Sequence, residues 1–210
     1  MPLSGTERGR AQLTIGAGGD RTMELDRAAE ADVFAELEAL ASRGEKFAVL
    51  SEEAGLRRYG ADFPRVLVDP VDGSLNAKQG ALRKGEKLEV IRRSDGPRLE
   101  LVAFESLPKA LTAARGLVQR AGKIRILGSM ALAIAHTAAG SFDAFCAPIP
   151  VRVFDMAASL LIVSEAGGVA TDVNGSGLEP LPCTLEARTT LLCAPNPELH
   201  SIAMRAFGER

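Results

Sequence analysis

The chain has 210 residues, of which 46% are hydrophobic and 25% are charged, and its formal net charge is −2. This composition is typical of a folded globular protein and excludes a disordered or fibrous chain. The lack of a basic surplus, together with an aromatic content of 4%, argues against nucleic-acid binding, which needs a cationic surface and stacking side chains.

The cysteine and histidine content narrows the class of protein further. The three cysteines, Cys146, Cys183 and Cys193, form no CxxC pair. Because an odd number of cysteines without metal-ligand spacing is typical of reduced thiols, the sequence predicts a cytoplasmic protein. The longest uncharged run, residues 126–142, is short and contains polar residues, so no membrane association is expected. The chain has only two histidines, which argues against a histidine-based zinc site.

Predicted strands and helices alternate along the chain, which indicates an α/β fold. Apolar residues at helical spacing predict a first helix from Asp26 to about Arg43, which Gly44 ends. Residues 57–64 are expected to form a loop. Strands are expected at residues 46–50, 65–68, 99–104, 123–127, 142–146, 169–173 and 190–194. Further helices are expected at residues 107–121, 128–140 and 155–166, and after residue 196.

A glycine-rich segment, GAGGD at residues 16–20, follows a predicted short strand near the N-terminus. It is similar to the phosphate-binding loop of dinucleotide-binding proteins, but Arg21 stands where that motif has its third glycine. A simple turn and a nucleotide-binding loop are therefore both open. The second would make the protein an NAD(P)-dependent oxidoreductase.

The segment DPVDGSLN, residues 69–76, directly follows a predicted buried strand. Asp69 and Asp72 stand three residues apart, and the strand end would bring both carboxylates to one place. Gly73 allows successive backbone N–H groups to point at an anion, and Ser74 adds a hydroxyl. A divalent cation beside such donors suits phosphate chemistry. The alternative is an Asx-rich turn without a ligand, because all these residue types form turns.

Other acidic residues also stand at the ends of predicted elements. Glu52 and Glu53 follow the strand at 46–50, while Asp155 and Asp26 lie at helix starts. Each has a structural alternative, a solvated loop for the glutamates and helix capping for the aspartates. Together with the DPVDGSLN aspartates they supply oxygen donors, which favour Mg²⁺ or Mn²⁺ over Zn²⁺.

Four segments resemble the inositol monophosphatase family, whose superfamily includes fructose-1,6-bisphosphatases and 3′-phosphoadenosine phosphatases. They are SEE (51–53), DPVDGSLN (69–76), GSMALAIAHTAAGSFDAF (128–145) and FDMAASLLIVSEAGG (154–168). The glycine-rich N-terminal part is similar to the prokaryotic members that act on both inositol phosphates and fructose bisphosphate. The resemblance implies a layered α/β/α/β/α sandwich, divided here into an N-terminal part, residues 1–105, and a C-terminal part, residues 106–210.

The resemblance also implies a role for each matching residue. Two or three Mg²⁺ ions, or Mn²⁺, would bind to carboxylates and one backbone carbonyl. The Ser74 hydroxyl, oriented by Asp26, would help to activate the attacking water. The implied site residues are, for the metal, Glu52, Asp69, Val71, Asp72 and Asp155; for catalysis, Asp26, Glu52 and Ser74; for the phosphate, Gly73 and Ser74; and for the substrate, Gly128, Ser129 and Arg152.

The resemblance implies a cytoplasmic, homodimeric, Mg²⁺-dependent phosphatase acting on a small phosphorylated substrate such as inositol-1-phosphate or fructose-1,6-bisphosphate. A phosphatase for 3′-phosphoadenosine-5′-phosphate is an alternative within the same superfamily. Another alternative is a catalytically silent relative that acts as a binding or scaffold protein. This is favoured by the length, since Gly80 runs directly into Ala81 where family members insert strands of the first sheet, roughly 30–40 residues.

Overall fold

The structure, a computed structural model, describes residue 8 and residues 11–19, 21–71, 98–105, 108–182 and 184–209. The described residues form two compact units: the first contains those up to 71 together with 184–186, and the second contains the rest. In chain order the elements are β1 (Gln12–Ile15), β2 (Arg21–Met23), α1 (Glu24–Ser42), β3 (Phe47–Ser51), β4 (Gly55–Val68), β5 (Leu101–Phe104), α2 (Pro108–Ala113), α3 (Arg115–Arg120), β6 (Lys123–Arg125), α4 (Met130–Ala138), β7 (Ala144–Arg152), α5 (Val153–Glu165), β8 (Val169–Thr171), β9 (Arg188–Ala194) and α6 (Pro197–Gly208).

The first unit packs helix α1 against strands β3 and β4. Phe34 and Leu37 of α1 share one core cluster with Phe47 and Val49 of β3 and with Val68 of β4. Every residue of β3 is buried, as expected for a strand whose side chains are apolar on both faces. The buried strand that the sequence predicts at 46–50 is therefore confirmed, shifted by one residue.

Strand β4 pairs with β3 along two separate stretches. Residues 55–60 pass β3 in the antiparallel direction, and residues 65–68 run parallel to it. The sequence predicted the second stretch but assigned 57–64 to a loop, and that assignment is wrong. The side chains of Arg57 and Arg58 are exposed, so no apolar alternation marks the first stretch. Backbone pairing with β3 forms it, and such pairing is invisible in side-chain pattern alone.

The second unit contains a five-stranded sheet in the order β6-β5-β7-β9-β8. Strand β5 is parallel to β6 and β7, while β9 is antiparallel to β7 and β8. Successive side chains of β7 and β9 point to opposite faces. Helices α4 and α5 cover one face, with Phe145 and Leu191, and α3 and α6 cover the other, with Cys146 and Leu192. The predicted α/β class is confirmed.

Strand β5 belongs to this second sheet. The sequence-based division at residue 105 assigns residues 101–104 to the N-terminal part, whereas in the structure they pair with β6 and β7. In the part of the chain that the structure describes, no helix combines the length and apolar character needed to cross a membrane.

The two described cysteines, Cys146 and Cys193, are free and buried. They belong to the clusters on opposite faces of the sheet, so they do not pair with each other. Burial raises the pKa of both thiols, that of Cys193 to about 12, because a thiolate loses its solvation in an apolar interior. Both are therefore protonated and unreactive at neutral pH. Cys183 lies outside the described residues.

Candidate active site

Two acidic residues follow neighbouring strand ends in the first unit. Ser51, the last residue of β3, pairs with Val68, the last residue of β4, in the parallel part of the register. The N–H of Glu52 donates to the carbonyl of Val68 at 3.0 Å, and Asp69 comes next in the chain. Because parallel strands end at the same edge, the backbones of Glu52 and Asp69 lie at one edge of this sheet. We call the edge that carries Glu52 and Asp69 the acidic edge.

The turn after β4 is held by its own aspartate. The N–H of Val71 donates to Oδ1 of Asp69 at 3.2 Å, which is the Asx-type geometry of the structural alternative. The side chain of Val71 is buried and packs with Leu25 of α1. This packing fixes the backbone at the position whose carbonyl is the implied metal ligand. Asp72, Gly73 and Ser74 lie outside the described residues.

Asp26 lies in the first turn of α1 and is 3% exposed. Its Oδ2 accepts a hydrogen bond from the N–H of Met23 at 2.9 Å. The carboxylate therefore pairs a backbone donor at the start of the helix, and its negative charge interacts favourably with the positive end of the helix dipole. This is the structural role that the sequence offers as an alternative. Its implied role toward Ser74 stays a prediction.

Two polar residues that the sequence pattern does not single out contact the segment beside the acidic edge. The Oε1 atom of Glu30 accepts from the Ser51 hydroxyl and, at 3.0 Å, from the N–H of Ala54. The Thr22 hydroxyl donates to the carboxylate of Glu53. A signal for Glu30 was present in the sequence, because it stands four residues after Asp26 and so shares its helix face.

The remaining implied residues lie in the second unit. Asp155 stands in the first turn of α5, and its Oδ2 accepts a hydrogen bond from the Nε–H group of Arg152 at 2.9 Å. Both side chains are less than one-fifth exposed, so the guanidinium holds the carboxylate in place. Ser129 caps α4, accepting the N–H of Leu132 at 3.1 Å. Gly128 has φ of +70°, which favours glycine there.

The glycine-rich segment is not a dinucleotide-binding loop. That motif joins a strand to a helix, whereas residues 16–19 connect two antiparallel strands, β1 and β2. The oxidoreductase interpretation therefore loses its structural basis.

The donor chemistry of the acidic edge fits a hard divalent cation. Carboxylate and carbonyl oxygens are the ligands that Mg²⁺ prefers, and Glu52, Asp69 and Val71 contain groups of these two kinds. Across the described residues, no three His, Cys, Asp or Glu side chains gather at one point. Asp72, the implied third acid of this edge, stands directly after the last residue described there.

Comparison with known proteins establishes the family. The model of the inositol monophosphatase family matches residues 76–209. The chain belongs to the inositol monophosphatase family. A similar protein is the fructose-1,6-bisphosphatase/inositol-1-monophosphatase of Methanothermobacter thermautotrophicus. It is 32% identical over 256 residues, and the alignment covers 98% of this chain and 90% of that protein. The family and this relative identify the chain as a phosphatase.

Two further likenesses concern the fold and the range of relatives. A solved structure of a Pyrococcus horikoshii protein with similarities for inositol-1 monophosphatase matches with a TM-score of 0.75 and 24% identity, covering 98% of this chain and 91% of that one. This likeness confirms the predicted family fold. The bifunctional NADP phosphatase/NAD kinase of Methanococcus maripaludis is 26% identical over 269 residues, covering 100% of this chain and 46% of that protein.

The alignments also bear on chain length. The M. thermautotrophicus alignment extends over 256 residues, whereas this chain has 210, so the relative contains at least 46 residues with no counterpart here. The shortening expected from the sequence is of comparable size. Its location after Gly80 falls outside the described residues and stays a prediction.

Proposed function

We propose that this phosphatase hydrolyses the phosphomonoester of a small sugar or inositol, with Mg²⁺ as its cofactor. The observation that carries the proposal is the acidic edge, where Glu52 and Asp69 follow neighbouring parallel strands. The name of the M. thermautotrophicus relative makes inositol-1-phosphate and fructose-1,6-bisphosphate the first substrates to test.

The charges at the acidic edge require a cation before a phosphate can bind. Adjacent carboxylates repel each other and repel a phosphate dianion, and a divalent ion reverses that local field. Bound Mg²⁺ supplies an activated water and neutralises charge on the leaving oxygen. Two or three ions would be held by the carboxylates of Glu52, Asp69, Asp72 and Asp155 and by the Val71 carbonyl; Mn²⁺ has the same ligand preference.

The other residues handle the proton and the phosphate group. The carboxylate of Glu52 accepts the proton of the attacking water. The hydroxyl of Ser74, oriented by Asp26, aligns that water. The backbone N–H groups of Gly73 and Ser74 donate to the phosphate oxygens, as successive N–H groups of a turn do toward anions.

Substrate recognition is assigned to the second unit, through Gly128, Ser129 and Arg152. Arg152 is the informative residue, because its guanidinium donates to Asp155 at 2.9 Å and carries the positive charge and planar donor set that suit phosphate recognition. A bisphosphate would engage Arg152 more strongly than a monophosphate would. We further propose that the protein is a cytoplasmic homodimer; its two described thiols, those of Cys146 and Cys193, are free and buried, which fits a reducing compartment.

Phosphate release with and without Mg²⁺ tests the proposal. The panel is inositol-1-phosphate, fructose-1,6-bisphosphate, 3′-phosphoadenosine-5′-phosphate and NADP. We expect Mg²⁺-dependent release from at least one of the first two. Asp69→Asn should lower the rate of phosphate release by more than about 100-fold. Loss of a residue that only orients a metal ligand typically costs about 10- to 100-fold, and loss of the ligand itself should cost more. Asp32→Asn, a charge change at an exposed position of α1, is the matched control and should retain activity. Metal-independent release, or full activity in Asp69→Asn, would refute the proposal.

The same assay addresses the silent-relative alternative. That alternative is favoured by the 46 or more residues that the M. thermautotrophicus relative has and this chain lacks. A folded protein that binds Mg²⁺ and releases no phosphate from any substrate would support it. Release from NADP or from 3′-phosphoadenosine-5′-phosphate alone would instead show that the substrate is a phosphorylated nucleotide.

A further inference from the structure

The glycine turn, residues 16–19, contacts the backbone that carries the acidic edge. The N–H of Gly18 donates to the carbonyl of Glu52 at 2.7 Å, and the N–H of Ala17 donates to the carbonyl of Glu53 at 3.0 Å. These bonds join segments more than thirty residues apart in the chain. They hold both peptide units directly after β3, where Glu52 begins the acidic edge.

The side chain of Glu53 is held by the same part of the chain. The hydroxyl of Thr22, a residue only 6% exposed, donates to Oε2 of Glu53. A Cβ atom built at Gly16 would overlap that same oxygen and would lie 3.2 Å from the Glu53 Cα. Position 16 therefore leaves room for the carboxylate only while it is glycine.

We propose that Gly16 and Thr22 are positioning residues for the metal site, acting through Glu53 and the backbone of Glu52. The inference rests on the proposed Mg²⁺ chemistry of the acidic edge. Two adjacent carboxylates repel each other and would otherwise sample many rotamers. The Thr22 hydroxyl engages Glu53, and the glycine turn fixes the adjoining peptide. The carboxylate of Glu52 is thereby presented from one backbone position toward the edge it shares with Asp69.

Removing this support should weaken metal binding without removing a ligand. Partners that orient metal ligands typically contribute about 10- to 100-fold in metal affinity. Thr22→Val keeps the size and shape of the side chain and removes the hydroxyl. Gly16→Ala forces the Glu53 carboxylate out of its place. We expect each change to raise the dissociation constant for Mg²⁺ and Mn²⁺ by about 10- to 100-fold.

The chain offers matched controls for both substitutions. Thr22→Ser restores the hydroxyl and should restore affinity. Gly208→Ala adds the same methyl group where nothing lies within 4 Å, and it should bind metal like the unmodified chain. Isothermal titration with Mn²⁺ and with Mg²⁺ is the primary measurement, and the Mg²⁺ concentration for half-maximal phosphate release is the second.

The outcomes separate this inference from the proposed function. Weakened binding in Thr22→Val and Gly16→Ala, with recovery in Thr22→Ser, supports the inference. Unchanged binding in both variants, with an active unmodified enzyme, overturns the inference and leaves the function standing. An unmodified chain that neither binds the metals nor releases phosphate refutes the function, and the inference with it.

Amide hydrogen exchange of the unmodified chain gives a test that does not depend on any variant folding. Because Ala17 and Gly18 donate to carbonyls across the unit, we expect their amides to exchange at least about 100-fold more slowly than unstructured amides. Exchange at the unstructured rate would mean that the glycine turn does not hold the edge, and the inference would be wrong.

Discussion

The two compact units differ in what stabilises them. In the second unit, helices cover both faces of a five-stranded sheet, and two clusters of buried apolar side chains lie between the layers. In the described part of the first unit, the buried apolar side chains form only one cluster of five residues and a smaller pair. There the backbone beside the acidic edge is held by hydrogen bonds: the Thr22 hydroxyl and the glycine turn donate, and the Glu30 carboxylate accepts. The contrast is between a unit stabilised mainly by apolar packing and an edge where hydrogen bonds hold the backbone of Glu52 and the side chain of Glu53.

The largest effect on stability should come from the sheet of the second unit. Phe145 of β7 is 1% exposed and belongs to the cluster under α4 and α5. Phe145→Ala should lower the free energy of unfolding by about 3–5 kcal/mol, because it loses apolar burial and leaves a cavity. Leu161→Ala, at a 62% exposed position of α5, should change it by less than about 0.5 kcal/mol. Urea unfolding measures both, and equal effects would contradict the packing described here.

The second unit should also carry a pH response through His200. The ring of His200 lies 3.0 Å from the Thr171 hydroxyl, and burial lowers its pKa below the usual 6.5. The unfolded chain therefore takes up this proton at higher pH than the folded chain does. The free energy of unfolding should be highest above pH 6.5 and fall as the pH drops below it, by at most about 1.4 kcal/mol per pH unit.

Urea unfolding between pH 7.5 and 5.5 measures this response. His200→Gln should flatten the dependence in that window. A chain whose stability rose as the pH fell from 6.5 would contradict the burial of His200 as a neutral ring.

The smallest change in stability should come from the acidic edge. Asn at position 69 keeps an oxygen that can accept the Val71 N–H, and it removes one of two neighbouring negative charges. In the absence of metal, Asp69→Asn should therefore shift the free energy of unfolding by less than about 0.5 kcal/mol, although we expect it to lower Mg²⁺-dependent turnover by more than about 100-fold. A loss comparable to that of Phe145→Ala would show that the edge is part of the stabilising core.

The elements that could be predicted from the sequence are those with a local apolar signal. The run around Phe47 and the periodic residues of α1 mark their elements well, because burial there follows the period of each structure. The first stretch of β4 has no such signal, since its exposed side chains say nothing about backbone pairing with β3.

The candidate site shows the same division. Glu52 and Asp69 could be placed together because each follows a recognisable strand. Thr22 could not, because its role depends on a contact with a residue 31 positions away in the chain. Glu30 could be placed on the helix face of Asp26, but not in contact with Ser51, which lies 21 positions away. The glycine turn was recognised as a motif, but only its contacts with Glu52 and Glu53 show what it holds.

The most direct test of the metal site is anomalous scattering from crystals of the unmodified protein soaked in Mn²⁺. Mn²⁺ shares the oxygen-ligand preference of Mg²⁺, and its anomalous signal locates the ion independently of the refined coordinates. We predict a peak coordinated by the carboxylates of Glu52 and Asp69 and the carbonyl of Val71, with ligand distances of about 2.0–2.3 Å. An acidic edge without a peak at saturating Mn²⁺, or ions bound only elsewhere on the chain, would contradict the account.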